Sequence, residues 1–188
     1  GVCLVTNGPG ATNLVSGIYA AYVGHSPVIA ISGAPSREVV YRDAFQEIDQ
    51  IALFRPITKQ AITVNKSDRI PELFRHAFRT ALTGKKGPVF IDIPRDLLDG
   101  SSIDVNFAPP ASYRAQHRPP GDPTLIKRAA DVLKNAKRPV IIAGGGINHS
   151  DATQQTVELA ELLSAPMITS YGRNDAVPNS HPLYVGPL

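Results

Sequence analysis

A single cysteine, Cys3, stands in the 188 residues, which excludes an internal disulfide and a thiolate metal cluster. Set in the run VCLV, it reads as a small buried hydrophobe rather than a redox group. Long apolar runs are also lacking. The longest are strand-sized and broken by Gly, Pro or charge, so no transmembrane helix fits. No signal peptide precedes the strand-like sequence that opens at Gly1, and a cytoplasmic location is expected. Basic runs are absent too: 19 Lys and Arg against 16 Asp and Glu leave a net charge of +3, scattered and without interleaved aromatics, so no nucleic-acid partner is indicated. None of the five histidines, His25, His76, His117, His149 and His181, lies at metal-ligand spacing from another His, Cys or carboxylate. They are read as structural or exposed, with no metal site.

What is present is enough apolar sequence, 43%, to bury one large core or two small ones in a soluble globular chain. Strand-like and helix-like segments alternate. VCLV (2–5), PVIAIS (27–32) and PVFIDIP (88–94) are short β-branched runs bounded by Gly or Pro, as expected of parallel strands covered on both faces. Ile70, Leu73, Phe74, Ala77, Phe78, Ala81 and Leu82 recur at three- and four-residue intervals, predicting a helix capped at Ser67 or Asp68 and stopped at Gly84. A second, shorter helix is expected over 43–54, DAFQEIDQIALF.

Five prolines and no sustained periodicity between Asp99 and Pro123 read as a linker. Beyond it, Ile126, Ala129, Ala130 and Leu133 mark a helix. RPVIIAGGG follows as a strand ending in glycines, then SDATQQTVELAELLSA as a helix and PMITSY as a strand. The fold class is α/β, with doubly wound parallel sheets, in segments 1–99, 100–121 (linker) and 122–188. Two strands are too few for a second sheet to stand alone, and the strand at 2–5 wants a partner on its other edge. The chain is therefore expected to be an internal fragment.

NGPGATN (7–13) poses the functional question. It lacks the Gly-Lys-Ser/Thr of a phosphate loop, and Asn13 stands where a dinucleotide fingerprint needs its third glycine. Pro9 has no backbone donor and offers a flat apolar surface, while Gly8 and Gly10 permit close approach, which suits a planar ring better than a phosphate. Taken alone, Gly-Pro-Gly reads first as a tight strand-to-helix turn with no ligand.

With DAFQE (43–47), KKGPVFIDIPRD (85–96) and RPVIIAGGG (138–146) in that order and spacing, the chain resembles the thiamine diphosphate enzymes of the acetolactate synthase and pyruvate oxidase family over essentially its whole length. The resemblance implies part of a pyrimidine-binding domain followed by the start of a Rossmann-like central domain. It implies that Gly8, Pro9, Gly10 and Asn13 line the aminopyrimidine pocket, an apolar face plus a carboxamide. It also implies that Phe45 packs over substrate and Gln46 bonds to the reacting group from a neighbouring subunit. Core packing is the other reading of Phe45, and an exposed helix position that of Gln46. Arg95 stands where synthases usually have lysine; it binds an anion through its planar fork or pairs with Asp96. Gly144, Gly145 and Gly146 match a central-domain position where members of the family bind FAD, another nucleotide, CoA or nothing. TSYGRNDAVPNSHPLYVGPL differs in length from the flavin-contacting synthases, so a protein without FAD is expected.

The implied function is a carboligase or decarboxylase acting on 2-oxo acids, of acetolactate synthase type, with thiamine diphosphate doing the bond-breaking chemistry. Mg2+ would be held by residues outside the chain, and a homodimer or homotetramer completes the site. IPRD and the 170–188 segment resemble sulfoacetaldehyde acetyltransferase instead, whereas DAFQE is the synthase form. A non-catalytic nucleotide-binding or structural subunit of the same fold is the alternative from another class. The chain alone is expected to be inactive.

Overall fold

A computed structural model of the chain describes residues 1–100, 104–105, 107–114 and 119–188. These fall into two compact units, Gly1–Gln116 and His117–Leu188. In the first, strands β1 (Val2–Val5), β2 (Ile29–Ala34), β3 (Gln60–Thr63) and β4 (Val89–Pro94) form one all-parallel sheet in the order β1-β2-β4-β3. Every strand therefore ends at the same edge, where the loops that carry chemistry collect.

Alternation along the two central strands assigns the faces. Ile29, Ile31, Val89, Ile91 and Ile93 pack with Leu73, Ala77 and Ala81 of helix α3 (Ile70–Leu82). Ala30 and Phe90 point the other way, towards Ala11 and Ile18 of α1 (Pro9–Val23) and Phe54 of α2 (Gln50–Phe54). Phe54 and Phe90 are fully buried and stack with ring centroids 4.0 Å apart and planes 11° apart. The same alternation places Ser32 and Asp92, register partners on neighbouring strands, on the α1–α2 face.

Several sequence expectations need correction. The helix over 43–54 is only α2. Tyr41, Asp43 and Gln46 have φ of 65°, 53° and 60°, a left-handed conformation that no α-helix contains. Glu47 holds the turn by accepting the N–H groups of Tyr41 at 2.6 Å and Ala44 at 2.9 Å. Asp49 then caps α2, accepting from Ala52 N–H at 2.9 Å. Neither Ser67 nor Asp68 caps α3; they lie in a 3-10 turn, Ser67–Arg69, and Arg69 at the cap position makes no side-chain cap bond. The other end is closed by Lys59, whose ammonium donates to the carbonyls of Thr80 and Thr83. Gly84, with φ of 62°, turns the chain away beyond it. Cys3 is half-buried against the α1–α2 face, where burial raises its thiol pKa and the N-terminal charge opposes that.

Strand β3 has no counterpart in the sequence reading. It is a four-residue edge strand, QAIT, which has polar residues at both ends and so no apolar run. Among the described residues the second unit has three strands, not two: β5 (Ile141–Ala143), β6 (Met167–Thr169) and β7 (Tyr184–Pro187), parallel in the order β5-β6-β7. Its small core gathers Ala143, Met167, Ala176 and Val177 with Ala160 of α6 (Thr153–Leu163). Helix α4 (Pro123–Lys134) buries no residue, and α5 (Gly145–Ser150) starts within the glycine triplet, so the strand ends before the glycines.

Of the expected linker, residues 101–103, 106 and 115–118, His117 included, lie outside the described residues. The described remainder includes a 3-10 turn, Pro110–Ser112, and Tyr113, whose ring lies 6.5 Å from that of Phe78 on α3.

Candidate functional site

Where β1 hands over to α1, Gly8 takes φ 59° and ψ −113°, a conformation open in practice only to glycine. A Cβ there would lie 2.6 Å from the carbonyl oxygen of Gln46 and 2.8 Å from its Cβ; one at Gly10 would meet Thr6 Cγ2 at 2.8 Å. The close approach that the glycines permit is made by the protein's own chain. Asn7 fixes it: its Nδ2 donates to the carbonyls of Phe45 and Gln46, each at 3.2 Å. The 7–13 segment and the 43–47 turn, separate in sequence, thus form one surface of a single chain, so Phe45 and Gln46 stand beside the Gly-Pro-Gly turn of their own chain, where the resemblance implies a neighbouring subunit.

A residue that the motifs do not single out holds this surface to the sheet. Gln50 is 2% exposed. Its Oε1 accepts the Gly8 N–H at 3.2 Å and faces the Ser32 hydroxyl at 3.0 Å, while Nε2 donates to Gly33 O at 2.9 Å and to Asp92 Oδ1 at 2.7 Å. The partners decide the amide's orientation, because turning it over would set Oε1 against two acceptors. Three bonding directions are used outright and the fourth, toward Ser32, is shared. Ser32 Oγ also lies 3.2 Å from Thr6 O and 2.9 Å from Gly33 O, its one proton serving a single acceptor at a time.

Asp92 is the charged residue of a strand buried along its whole length. Burial pushes its carboxyl up to about 7, against the bond from Gln50, which favours the ionised form; the nearby Asp49 adds a smaller upward push. Glu47 is moved the other way, below the usual carboxylate range, chiefly by the Tyr41 N–H and then by that of Ala44. A cavity of about 720 Å³ opens beside these groups, lined among others by Asp92, Gln50, Thr63, Tyr41, Glu47 and Arg37.

The sequence-predicted residues divide. Gly8 is buried; Pro9 and Asn13 are exposed one helical turn apart, on one face of α1. Gln46 is half-buried in a turn rather than a helix. Phe45 is 85% exposed, which removes the core-packing reading. The side-chain amides of Asn13 and Gln46 have no hydrogen-bond partner among the described residues, so each offers a donor and an acceptor outward. Arg95 follows β4 at the same sheet edge, but its Nε pairs with Asp99 at 3.1 Å and its side chain is largely exposed. The expected partner Asp96 is taken by Arg37, which donates through Nε at 2.7 Å and its backbone N–H at 3.0 Å.

In the second unit Gly144 precedes α5, and a Cβ at Gly145 would come within 2.8 Å of Arg173 Nε. The room at that glycine is filled by an arginine of the same unit. Among the described residues, no group of three His, Cys, Asp or Glu could hold a metal ion, and no helix is long and apolar enough to cross a membrane. An exposed proline, an exposed phenyl ring and two outward carboxamides fit the aminopyrimidine of thiamine diphosphate, which has flat faces and a polar edge with both donors and acceptors.

Comparison with known proteins bears on the same two segments. Residues 1–53 match the thiamine pyrophosphate enzyme N-terminal TPP binding domain, and residues 126–188 match the thiamine pyrophosphate enzyme central domain. A probable acetolactate synthase large subunit of Methanocaldococcus jannaschii is 46% identical over 190 residues, covering 99% of this chain and 32% of that protein. Its counterpart from Methanococcus aeolicus is 41% identical with the same coverage, and an acetolactate synthase of Mycobacterium bovis is 39% identical over 96% of this chain and 29% of its own length. The chain thus spans about a third of the length of these relatives. Among solved structures, a putative thiamin diphosphate-dependent enzyme from Mycobacterium smegmatis superposes with a TM-score of 0.82 at 26% identity, covering all of this chain and 36% of that one.

Proposed function

From a chain that carries thiamine pyrophosphate enzyme sequence of the N-terminal TPP-binding and central domains, we propose that the full-length protein is a thiamine diphosphate-dependent carboligase or decarboxylase of acetolactate synthase type, acting on 2-oxo acids. The observation that carries the reading is the joining of the 7–13 turn to the 43–47 turn by Asn7, which sets Gln46 against Gly8. Pro9 presents a flat face to the ring, the glycines on either side let the turn pack against Gln46 and Thr6, and Asn13 bonds the ring's polar edge. Gln46 directs its carboxamide to the substrate carbonyl region, and Phe45 covers it from solvent. When bound, the cofactor supplies the carbon nucleophile that cleaves next to a carbonyl; these residues bind, orient and exclude water.

The acetolactate synthase relatives support this type over a sulfoacetaldehyde acetyltransferase and over a non-catalytic subunit. Mg2+ is assigned to residues outside this chain. The exposure of Phe45 and Pro9 fits a site completed in a homo-oligomer. FAD is left out of the reading, on the length of the segment after Thr169 alone.

The test is titration calorimetry of the full-length protein with thiamine diphosphate and Mg2+, paired with turnover of pyruvate by Gln46→Ala. Tight binding is expected in both proteins, with turnover lowered at least tenfold and the melting temperature of the variant unchanged, because the Gln46 side chain bonds to no described residue. Full turnover by the variant, or no binding by the wild type, overturns the assignment.

A further inference from the structure

We propose that Gln50 is the positioning residue of this site: its buried carboxamide sets the Gly8 amide, and with it the Asn7–Gly10 turn, at the height above the sheet edge where the turn meets the Phe45–Gln46 backbone. The proposal rests on the cofactor reading above and adds a residue that the motifs omit.

The geometry argues for positioning rather than general packing. The side chain springs from the first residue of α2, four positions after Gln46. It bonds to Gly8 at the β1–α1 turn, to Ser32 and Gly33 at the end of β2, and to Asp92 near the end of β4. Gly8 has no side chain to cap α1, and no side-chain cap bond is made there; its N–H is oriented by Gln50 Oε1. Pro9 follows without an N–H of its own. The turn is thus held to the sheet edge through the amide of Gly8. Asn7 binds the other side of the turn to the carbonyls of Phe45 and Gln46, so an error in the height of Gly8 is passed to both walls of the ring surface. The isosteric apolar side chain of methionine fills the same volume but offers neither the acceptor for Gly8 nor the donor for Asp92.

The experiment measures thiamine diphosphate affinity by calorimetry, and thermal midpoints, in full-length wild type, Gln50→Met and Ile91→Ala. Ile91 is buried on the opposite face of the sheet, against α3, so its truncation destabilises the same unit without touching the turn. At a temperature where all three are folded, we expect Gln50→Met to bind at least tenfold more weakly and Ile91→Ala to bind within twofold of wild type. Gln50→Asn, one methylene too short to reach Gly8 and Asp92 together, gives a loss of the same sign if the methionine variant does not fold. Gln50 variants that lose thermal midpoint in step with Ile91→Ala yet keep wild-type affinity make the residue a packing element and overturn the proposal alone. A wild type that binds no thiamine diphosphate overturns the cofactor reading and this inference with it.

Discussion

Replacing Asp92 by asparagine tests the electrostatics of the buried network most directly. Asp92 is 7% exposed, and its carboxyl titrates at about 7 in the fold against 3.8 in the unfolded reference. An acid whose pKa is raised by folding keeps its proton in the folded state while the unfolded chain ionises. Its stabilising contribution is complete below pH 3.8 and is lost progressively as pH rises to about 7. The separation is about three pH units, or about 4 kcal/mol at roughly 1.4 kcal/mol per unit. Asp92→Asn keeps the acceptor for Gln50 Nε2 and has no charge to bury. We therefore expect wild type and variant to be equally stable near pH 4 and the variant to be more stable by about 2–4 kcal/mol at pH 8. Urea unfolding followed by far-ultraviolet circular dichroism at half-unit intervals gives both curves. Glu47, Glu72 and Asp96, held low by the Tyr41 N–H, by Arg69 and by Arg37, lose their contribution as pH falls from their unfolded values through their depressed ones, at the acid end of the window and below, and because wild type and variant share them the effect cancels in the difference. Parallel curves from pH 4 to 8 would refute the claim that this carboxyl is buried as an acid.

Two further substitutions probe the frame of the site. Gly8→Ala is expected to lose about 2 kcal/mol or more in the same unfolding assay, from its φ of 59° and from a Cβ placed 2.6 Å from Gln46 O, which Asn7 holds in place; a loss under half of that means the turn yields easily. Phe90→Ala removes one ring of a fully buried stack and is expected to cost about 3–5 kcal/mol, with a smaller cost showing that Phe54 and its neighbours collapse into the gap.

The legibility of the fold followed burial. Strands β2 and β4 are covered on both faces, so their apolar runs are continuous and stand out; β1 shows an apolar run too, but as an edge strand with Val2 and Leu4 exposed it is not covered on both faces as expected, whereas QAIT of β3 and YVGP of β7 contain no such run. The period of α3 was readable because one wide face is buried. The 43–49 segment, with Ala44 and Ile48 four apart and in step with Ile51 of α2, imitates a helix, yet Glu47 closes a turn there through contacts three and six residues away. In the site, Pro9, Asn13 and Gln46 were legible as a motif, whereas Gln50 was not: a glutamine early in a helix looks solvent-facing, and its partners Gly8 and Asp92 each lie 42 positions away. One signal did point to it. An aspartate inside FIDIP, in a strand read as covered on both faces, requires a buried partner with a donor to give.

The bonds of the Gln50 side chain also constrain how the sequence can drift. A change at position 50 alone leaves Asp92 and the Gly8 amide without their partner inside the protein, and an apolar residue at 92 alone, unlike asparagine, leaves a donor without its acceptor. Passing through either single change is costly, while an apolar pair at both positions is self-consistent for the carboxyl though not for the amide of Gly8. Among relatives, residues 50 and 92 should therefore switch together, and lineages that have lost the pair should show a new acceptor for the glycine amide, a covariation readable from aligned sequences alone.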